Sequence, residues 1–418
     1  MNRGVRGLAA ALLIAGSASS VAGQSSKYNA PGHLGIDPGE DREQMEQAVS
    51  EALWKVGPVR VDPWIGLREL AWVEPAEGDG DLTTSIGAGV RAYVPIGSKT
   101  TIAAQILPTY IWWQDREEDR RLGGTYGVGL FYFSERAGAQ FSATKSDLDE
   151  YVTDEVDRRA AVDSINYRLR VEVPFSPRLG LFLNAGRYDQ EVDDTLGGEG
   201  ELEDLSSYTD SIEGGLTWLA GSRFTVRVGA GTVETTFDES VRDRGNEGDF
   251  WIAGIDWRRS KTGASVTVRQ GTLRATSGSE FIETDATTYQ ARVSWTPRAR
   301  FGVSIYGGQQ LSYSVQQGQV SYLEERVGVR LSFPVARTIS GSAFYEDGQR
   351  TYDFDDSQDD VTSWGGQLSL PVWRRLQLRF AGRTTAIDSP FRSTTYSEYR
   401  IGLSFGSSAT FGSDNRGF

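Results

Sequence analysis

From Val59 onward, apolar and polar residues alternate along the chain with a period of two. In the stretch 164–175, Ile165, Tyr167, Leu169, Val171, Val173 and Phe175 fall on one side, and Ser164, Asn166, Arg168, Arg170, Glu172 and Pro174 on the other. Successive side chains of a β-strand point to opposite faces, so such a segment has one apolar wall and one polar wall. The split recurs in Ile86-Ala88-Val90-Ala92-Val94 against Gly87-Gly89-Arg91-Tyr93, and in Val327-Val329-Leu331-Phe333 against Arg326-Gly328-Arg330-Ser332. It returns in Leu376-Leu378-Phe380 against Gln377-Arg379-Ala381, and in Tyr399-Ile401-Leu403-Phe405 against Arg400-Gly402-Ser404. Strands are predicted to begin near residues 59, 82, 99, 125, 138, 160, 179, 208, 223, 249, 262, 281, 299, 319, 337, 359, 374 and 393, which makes eighteen. Sixteen is the alternative, because the pattern is weakest near 138–150 and 262–285.

The links between these strands alternate in length. Short turns, each carrying arginine, occur at Ser176-Pro177-Arg178, Ala220-Gly221-Ser222-Arg223, Arg258-Arg259-Ser260-Lys261, Pro297-Arg298-Ala299-Arg300, Pro334-Val335-Ala336-Arg337 and Pro371-Val372-Trp373-Arg374-Arg375. Longer acidic links span 74–81, 115–124, 147–157, 189–204, 238–249 and 353–360. Short periplasmic turns and long outer loops characterise transmembrane barrels. An aromatic residue lies at or just before the short turns: Phe175, Trp218, Trp257, Trp295, Phe333 and Trp373. Placed at one level, they would form an interface girdle, because a flat apolar body with a polar edge favours the membrane boundary. The expected fold is therefore all-β: a transmembrane, antiparallel, up-and-down β-barrel over residues 59–407, with a tail at 408–418. A closed barrel satisfies every backbone group internally, which lipid requires.

The first 58 residues read differently. Arg3 and Arg6, the apolar run from Gly7 to Gly16 and the small residues ending at Gly23 predict a cleaved signal peptide over 1–23. Residues 24–58 form a periplasmic segment, in which Met45, Val49, Ala52, Leu53 and Val56 recur at helical spacing until Gly57-Pro58 stops them. That helix is too short to stand alone and needs a surface. It serves either as a periplasmic cap or as a plug or docking element. Export to the outer membrane of a Gram-negative bacterium follows, with lipid and lipopolysaccharide as surroundings.

Composition narrows the chemistry. The chain of 418 residues has no cysteine and one histidine, His33, which precedes the barrel. Disulfides, thiolate metal sites and a histidine-assisted nucleophile within the barrel are thereby removed, and the expected protein is not an enzyme. Nothing calls for a cofactor or a dedicated metal. A formal charge of −14 argues against nucleic acid. Too few residues precede the barrel to form the plug of a 22-stranded transporter.

The polar face offers pore-lining candidates: Arg91, Arg168, Arg170, Arg227, Arg269, Arg292, Arg326, Arg330, Arg379, Arg383 and Arg400. They form an anion-favouring path, or pair with acidic neighbours and stiffen the wall. Tyr93, Tyr188 and Tyr306 share that face. The acidic runs 147–150 and 353–356 offer oxygen ligands for Ca²⁺, but lack the spacing of an EF-hand loop and read as solvated loops or divalent bridges to lipopolysaccharide.

The opening Gly57-Pro58-Val59-Arg60-Val61-Asp62-Pro63-Trp64-Ile65-Gly66-Leu67 resembles the first strand of the putative β-barrel porin type 2 family. The Ser-Pro-Arg-Leu and Trp-Thr-Pro-Arg turns are similar to that family as well. Some relatives sit in exopolysaccharide or capsule export systems. The resemblance thus implies an eighteen-stranded conduit for polysaccharide that works with a periplasmic polysaccharide-export protein. A general diffusion porin for small hydrophilic solutes is the alternative, with an acidic loop such as 189–204 folded inward, and a non-conducting surface barrel is the third reading. Barrels of this kind end on an aromatic residue of the last strand, here Phe405, yet the chain continues to Phe418. The assembly signal is then either Phe418 or the internal segment 399–405.

Overall fold

The structure, a computed structural model, describes residues 45–46, 48–75, 79–153, 155, 159–193, 202–238, 244–276, 278–298, 300–316, 319–353, 357–373, 376–389 and 393–405. The expected signal peptide, His33 and the tail 408–418 lie outside them.

A short strand β1 (Trp54–Val56) is followed by β2 (Val59–Glu74), β3 (Asp81–Ile96), β4 (Thr100–Trp113), β5 (Arg121–Phe133), β6 (Gly138–Glu150), β7 (Ala160–Pro174), β8 (Leu179–Asp193) and β9 (Ser207–Leu219). The series continues with β10 (Phe224–Phe237), β11 (Asn246–Arg259), β12 (Thr262–Ala275), β13 (Thr284–Arg298), β14 (Phe301–Tyr313) and β15 (Ser321–Pro334). It ends with β16 (Ser340–Tyr352), β17 (Gln358–Trp373), β18 (Leu376–Asp388) and β19 (Ser393–Phe405). From β2 to β19 each strand pairs antiparallel with the next, and β19 returns to β2 through Tyr399↔Trp72 and Phe405↔Ile65. The result is a closed barrel of eighteen strands.

The alternation resolves as expected for a protein in lipid. Large apolar side chains are exposed on the outer face: Tyr167 at 43 %, Leu169 at 38 % and Val173 at 39 % along β7, while Arg170 between them is 7 % exposed. In β3, Ile86 points outward, and Ser85, Arg91 and Tyr93 are buried on the inner face. An apolar exterior around a polar interior inverts a soluble fold, and it is stable because hydrocarbon replaces water outside.

All six aromatics expected near the short turns lie on the outer face. Trp373, Phe175, Trp295 and Trp218 are exposed, and Trp257 packs beside Phe224 with ring centroids 6.4 Å apart. A second, upper set lies toward the long links: Trp72, Tyr110, Trp251 and Trp364. Trp364 and Trp373 share β17, nine residues apart, and a register shift after Pro371 turns Trp373 back to the outer face. At about 3.3 Å per residue and a tilt of about 40°, that separation spans roughly 23 Å of membrane normal, close to the apolar band of an outer-membrane barrel.

The N-terminal helix departs from expectation. Helical residues end at Glu51, and Trp54–Val56 instead form β1, which turns through Gly57 (φ 59°) to pair with the start of β2. There β2 extends past the last residue of β19 that pairs with it, so its free edge offers hydrogen bonds that outweigh continued helix. Leu53 and Val56 are accordingly exposed rather than packed. The helix buries Met45 and Ala48 against Tyr93, Ala103 and Phe131. Those three point inward near the short-turn rim, so the helix lies on the inner wall of the periplasmic mouth.

Candidate channel and its constriction

All eleven arginines named above sit on the inner face, at positions that alternate with outward apolar residues. Five lie opposite acids. Arg91 faces Asp62 across the β2–β3 ladder, and Arg170 is 3.0 Å from Glu172. Arg269 is 3.6 Å from Glu213, which also accepts a 2.8 Å bond from Asn184 and feels the charge of Arg227. Arg326 bonds Glu324 and reaches Glu346 at 4.0 Å, and Arg400 bonds Glu398 and approaches Glu69 at 3.9 Å. Arg379 donates to Gln377 at 2.8 Å, and Arg383 to Ser363 at 3.2 Å. Arg330 lies over the Phe344 ring, 5.7 Å from its centroid. Arg168 sits opposite Gly186. Arg292 has no hydrogen bond or ion pair among the described residues. The wall is thus a braced lattice in which cations alternate with acids. Tyr188 and Tyr306 belong to it, donating to Gln190 at 3.0 Å and to Glu346 at 2.8 Å.

Apolar side chains gather at the outer end of the lumen. An apolar cluster joins inward residues of β7, β8, β10, β11, β12 and β14 (Val162, Val192, Phe237, Phe250, Leu273 and Tyr313 among them) to Val152, Leu202, Leu205 and Phe281 from the links. A second cluster gathers Val73, Ile111, Trp113, Val361, Ile387 and Tyr396 around Tyr151. The β6–β7 link therefore touches both through adjacent residues, Tyr151 and Val152.

Polar contacts fix the same link to three parts of the wall. Thr153 meets the Tyr322 hydroxyl at 3.4 Å. Glu155 accepts from Ser314 at 2.8 Å and from the Val315 amide at 2.9 Å, and shares a 2.9 Å hydrogen bond with the Tyr352 hydroxyl. Arg159, 2 % exposed, forks onto Glu69 at 2.8 and 3.2 Å and also bonds Glu398. A segment joining β6 to β7 is thus held by β2 and β19 at one end and by β15, β16 and the β14–β15 link at the other.

The link 189–204, expected to fold inward, is described only in part. Of that link, residues 194–201 lie outside the described residues, and Leu202 and Leu205 enter the apolar cluster from the side. The sequence did hold a signal for the β6–β7 link, because Tyr151-Val152 is an apolar pair inside a charged segment. Asp147 and Asp149, considered above as cation ligands, are engaged by Arg121, and Asp149 also accepts from Trp113. Asp353 accepts from Ser321.

Burial pushes the Glu155 carboxyl above its ordinary value of 4.5, against the opposing pull of Arg350 and of its hydrogen-bond partners. Hydrogen counting agrees with a protonated group. The Tyr352 hydroxyl has one proton, yet lies 2.9 Å from both Glu155 and Asp359, and it already accepts from Gln316. A proton on Glu155 lets it donate to Tyr352 while Tyr352 donates to Asp359. Because the docked value is raised, the stabilisation from this group is complete below the free carboxyl's range and is lost as pH rises through the raised value. Channel current is expected to grow with pH over that interval, and Glu155→Gln is expected to flatten the rise. A titration of current in planar bilayers checks both.

Residues 268–406 match the model of the family described as Putative beta-barrel porin 2. That segment runs from within β12 through β19 and bears out the suspected family; it includes the Trp-Thr-Pro-Arg turn but not the first strand or the Ser-Pro-Arg-Leu turn. Among solved structures the chain is similar to OccK5 (OpdH) of Pseudomonas aeruginosa, with a TM-score of 0.52 and 9 % identity over 83 % of this chain and 97 % of that one. It is similar to OccK2 (OpdF) of the same organism, solved in complex with glucuronate, with a TM-score of 0.51 and 12 % identity over 83 % and 97 %. OccAB4 of Acinetobacter baumannii matches with a TM-score of 0.50 and 11 % identity over 83 % and 98 %. At such identities the likeness is one of fold. No curated protein matches the sequence. The protein is a porin-like outer-membrane β-barrel.

Proposed function

We propose that the barrel is a diffusion channel for small hydrophilic solutes, with the β6–β7 link as its constriction and a preference for anions. The observation that carries this reading is the link itself: its described residues Tyr151, Val152, Thr153, Glu155 and Arg159 are anchored to β2, β15, β16, β19 and the β14–β15 link at the outer end of the lumen, an arrangement that suits small solutes better than a polymer. The arginine-bearing inner wall supports the anion preference, since fixed cations in a narrow, low-dielectric passage attract counter-charge. Polysaccharide export, which the family resemblance suggests, would require the link and the N-terminal helix to leave the lumen together. The short-turn aromatics act here as the periplasmic membrane girdle, and the eleven arginines as the wall along which solutes pass.

Purified protein in planar bilayers under a salt gradient tests the reading. Steady current with a reversal potential displaced toward the anion is the expected result. Sugar acids such as the glucuronate bound to OccK2 are the first solutes to try in liposome swelling. Absence of current from both the native protein and a variant with a released link would contradict the reading. Loss of surface polysaccharide on deletion, without a change in solute uptake, would favour export.

A further inference from the structure

Halfway along the inner wall, β13 to β16 bring together a ring and unevenly paired charges. Arg292 is the direct cross-strand neighbour of Tyr306, Tyr306 of Gly328, and Gly328 of Glu346. The Tyr306 ring lies flat on Gly328: a Cβ there would stand 2.6 Å from Cε2 and Cζ. Its hydroxyl is tied to Glu346 at 2.8 Å, so the ring is fixed with one face on the wall and the other toward the lumen. Arg330, one row nearer the periplasm, is held over Phe344. Arg292 is close enough to Arg330 for their charges to repel, and no acid compensates it among the described residues. Both Arg292 and Tyr306 are half-buried, so each keeps surface toward the lumen.

An uncompensated guanidinium beside an immobilised aromatic face is suited to one kind of small molecule. The guanidinium takes a carboxylate in a forked pair. The ring face takes a flat or ring-shaped body, and because its orientation is already set, little entropy is lost on contact. We infer that Arg292 and Tyr306 form a binding subsite for a small ring-bearing carboxylate. The inference rests on the channel reading, because the ligand reaches this wall only through the lumen. Gly328 permits the site by leaving room for the ring, and Glu346 and Arg330 position it without touching the carboxylate.

The test is equilibrium dialysis on the full-length protein in detergent micelles, with benzoate as probe, acetate lacking the ring and benzamide lacking the charge. Benzoate is expected to bind at least about tenfold more tightly than either analogue, a difference of ~1.4 kcal/mol. Arg292→Gln is expected to lower benzoate affinity about tenfold. Tyr306→Leu and Gly328→Ala, the latter by displacing the ring, should bring benzoate down to the level of acetate. Arg178→Gln, in the short turn between β7 and β8, should leave it unchanged. If one ring variant fails to fold, the other carries that arm, and the benzoate–acetate comparison on the native protein needs no variant. Equal binding of benzoate and acetate, equal losses in the Arg292 and Arg178 variants, or no benzoate binding would overturn the subsite. An open channel that fails to bind benzoate sinks the subsite alone. Benzoate binding without current sinks the channel reading alone.

Discussion

Replacing Arg159 with alanine is expected to raise the single-channel current severalfold. Arg159 is the only described residue of the β6–β7 link that bonds β2 and β19, through Glu69 and Glu398, and it is almost completely buried there. Removing it leaves two carboxylates facing a buried space, with Arg400 beside both and Arg68 near Glu69 to balance them. Breaking a buried ion pair from one side costs about 3–5 kcal/mol. Arg400 and nearby lumen water place this case at or below the lower end of that range. Even ~2 kcal/mol would multiply the undocked population about thirtyfold. Lysine at the same position should recover only part of the closure, because a single ammonium cannot fork across both carboxylates. Single-channel recordings of the native protein and both variants check the order: native lowest, lysine intermediate, alanine highest. Equal currents in all three would mean that this link does not set the constriction.

The second large effect is expected on the outer wall. Leu169 lies near the middle of β7 and is exposed to the surroundings, whereas Asn166, close along the same strand, faces the lumen. Arginine at a lipid-facing midplane position destabilises an outer-membrane barrel by about 2–4 kcal/mol. Leu169→Arg should therefore lose that much folding stability in vesicles, with reduced assembly in cells. Asn166→Arg adds the same side chain to a wall already rich in arginine, and is expected to change stability by less than about 1 kcal/mol. Urea titrations of refolded protein in lipid vesicles measure both. Equal losses would mean that the two faces meet similar surroundings.

The strands were legible because their information is local. Each strand carries its own alternation and its own punctuating turn, so expected and observed starts differ by four residues at most, the largest gap being 125 against Arg121. Closure also followed, since an even number of antiparallel strands with apolar exteriors leaves no other way to cover the edges. What escaped the sequence depends on distant contacts. Glu155 bonds Ser314 at a separation of 159 residues, and Arg159 meets Glu398 across 239, so no window along the chain reveals either. The helix was misjudged at its end for a related reason: Trp54–Val56 fit helical spacing, but the free edge of β2 exists only once β19 has closed the barrel. The register shift after Pro371 was equally invisible, and without it Trp373 would not stand with the other aromatics of its rim. Arg292 could be placed on the inner face by parity. That its neighbours leave it uncompensated emerged only from the arrangement of β13 to β16.

The most direct test of the account asks which way the side chains of β7 point. The chain has no cysteine, so single cysteines from Ile165 to Val173 can each carry a spin label without background. In lipid vesicles, accessibility to oxygen, which concentrates in hydrocarbon, should peak at 165, 167, 169, 171 and 173. Accessibility to a water-soluble nickel chelate should be greater at 166, 168, 170 and 172. Two profiles of period two in opposite phase are the predicted result. Profiles in the same phase, or odd-numbered sites closed to both reagents, would place the apolar face in a protein core and contradict the account.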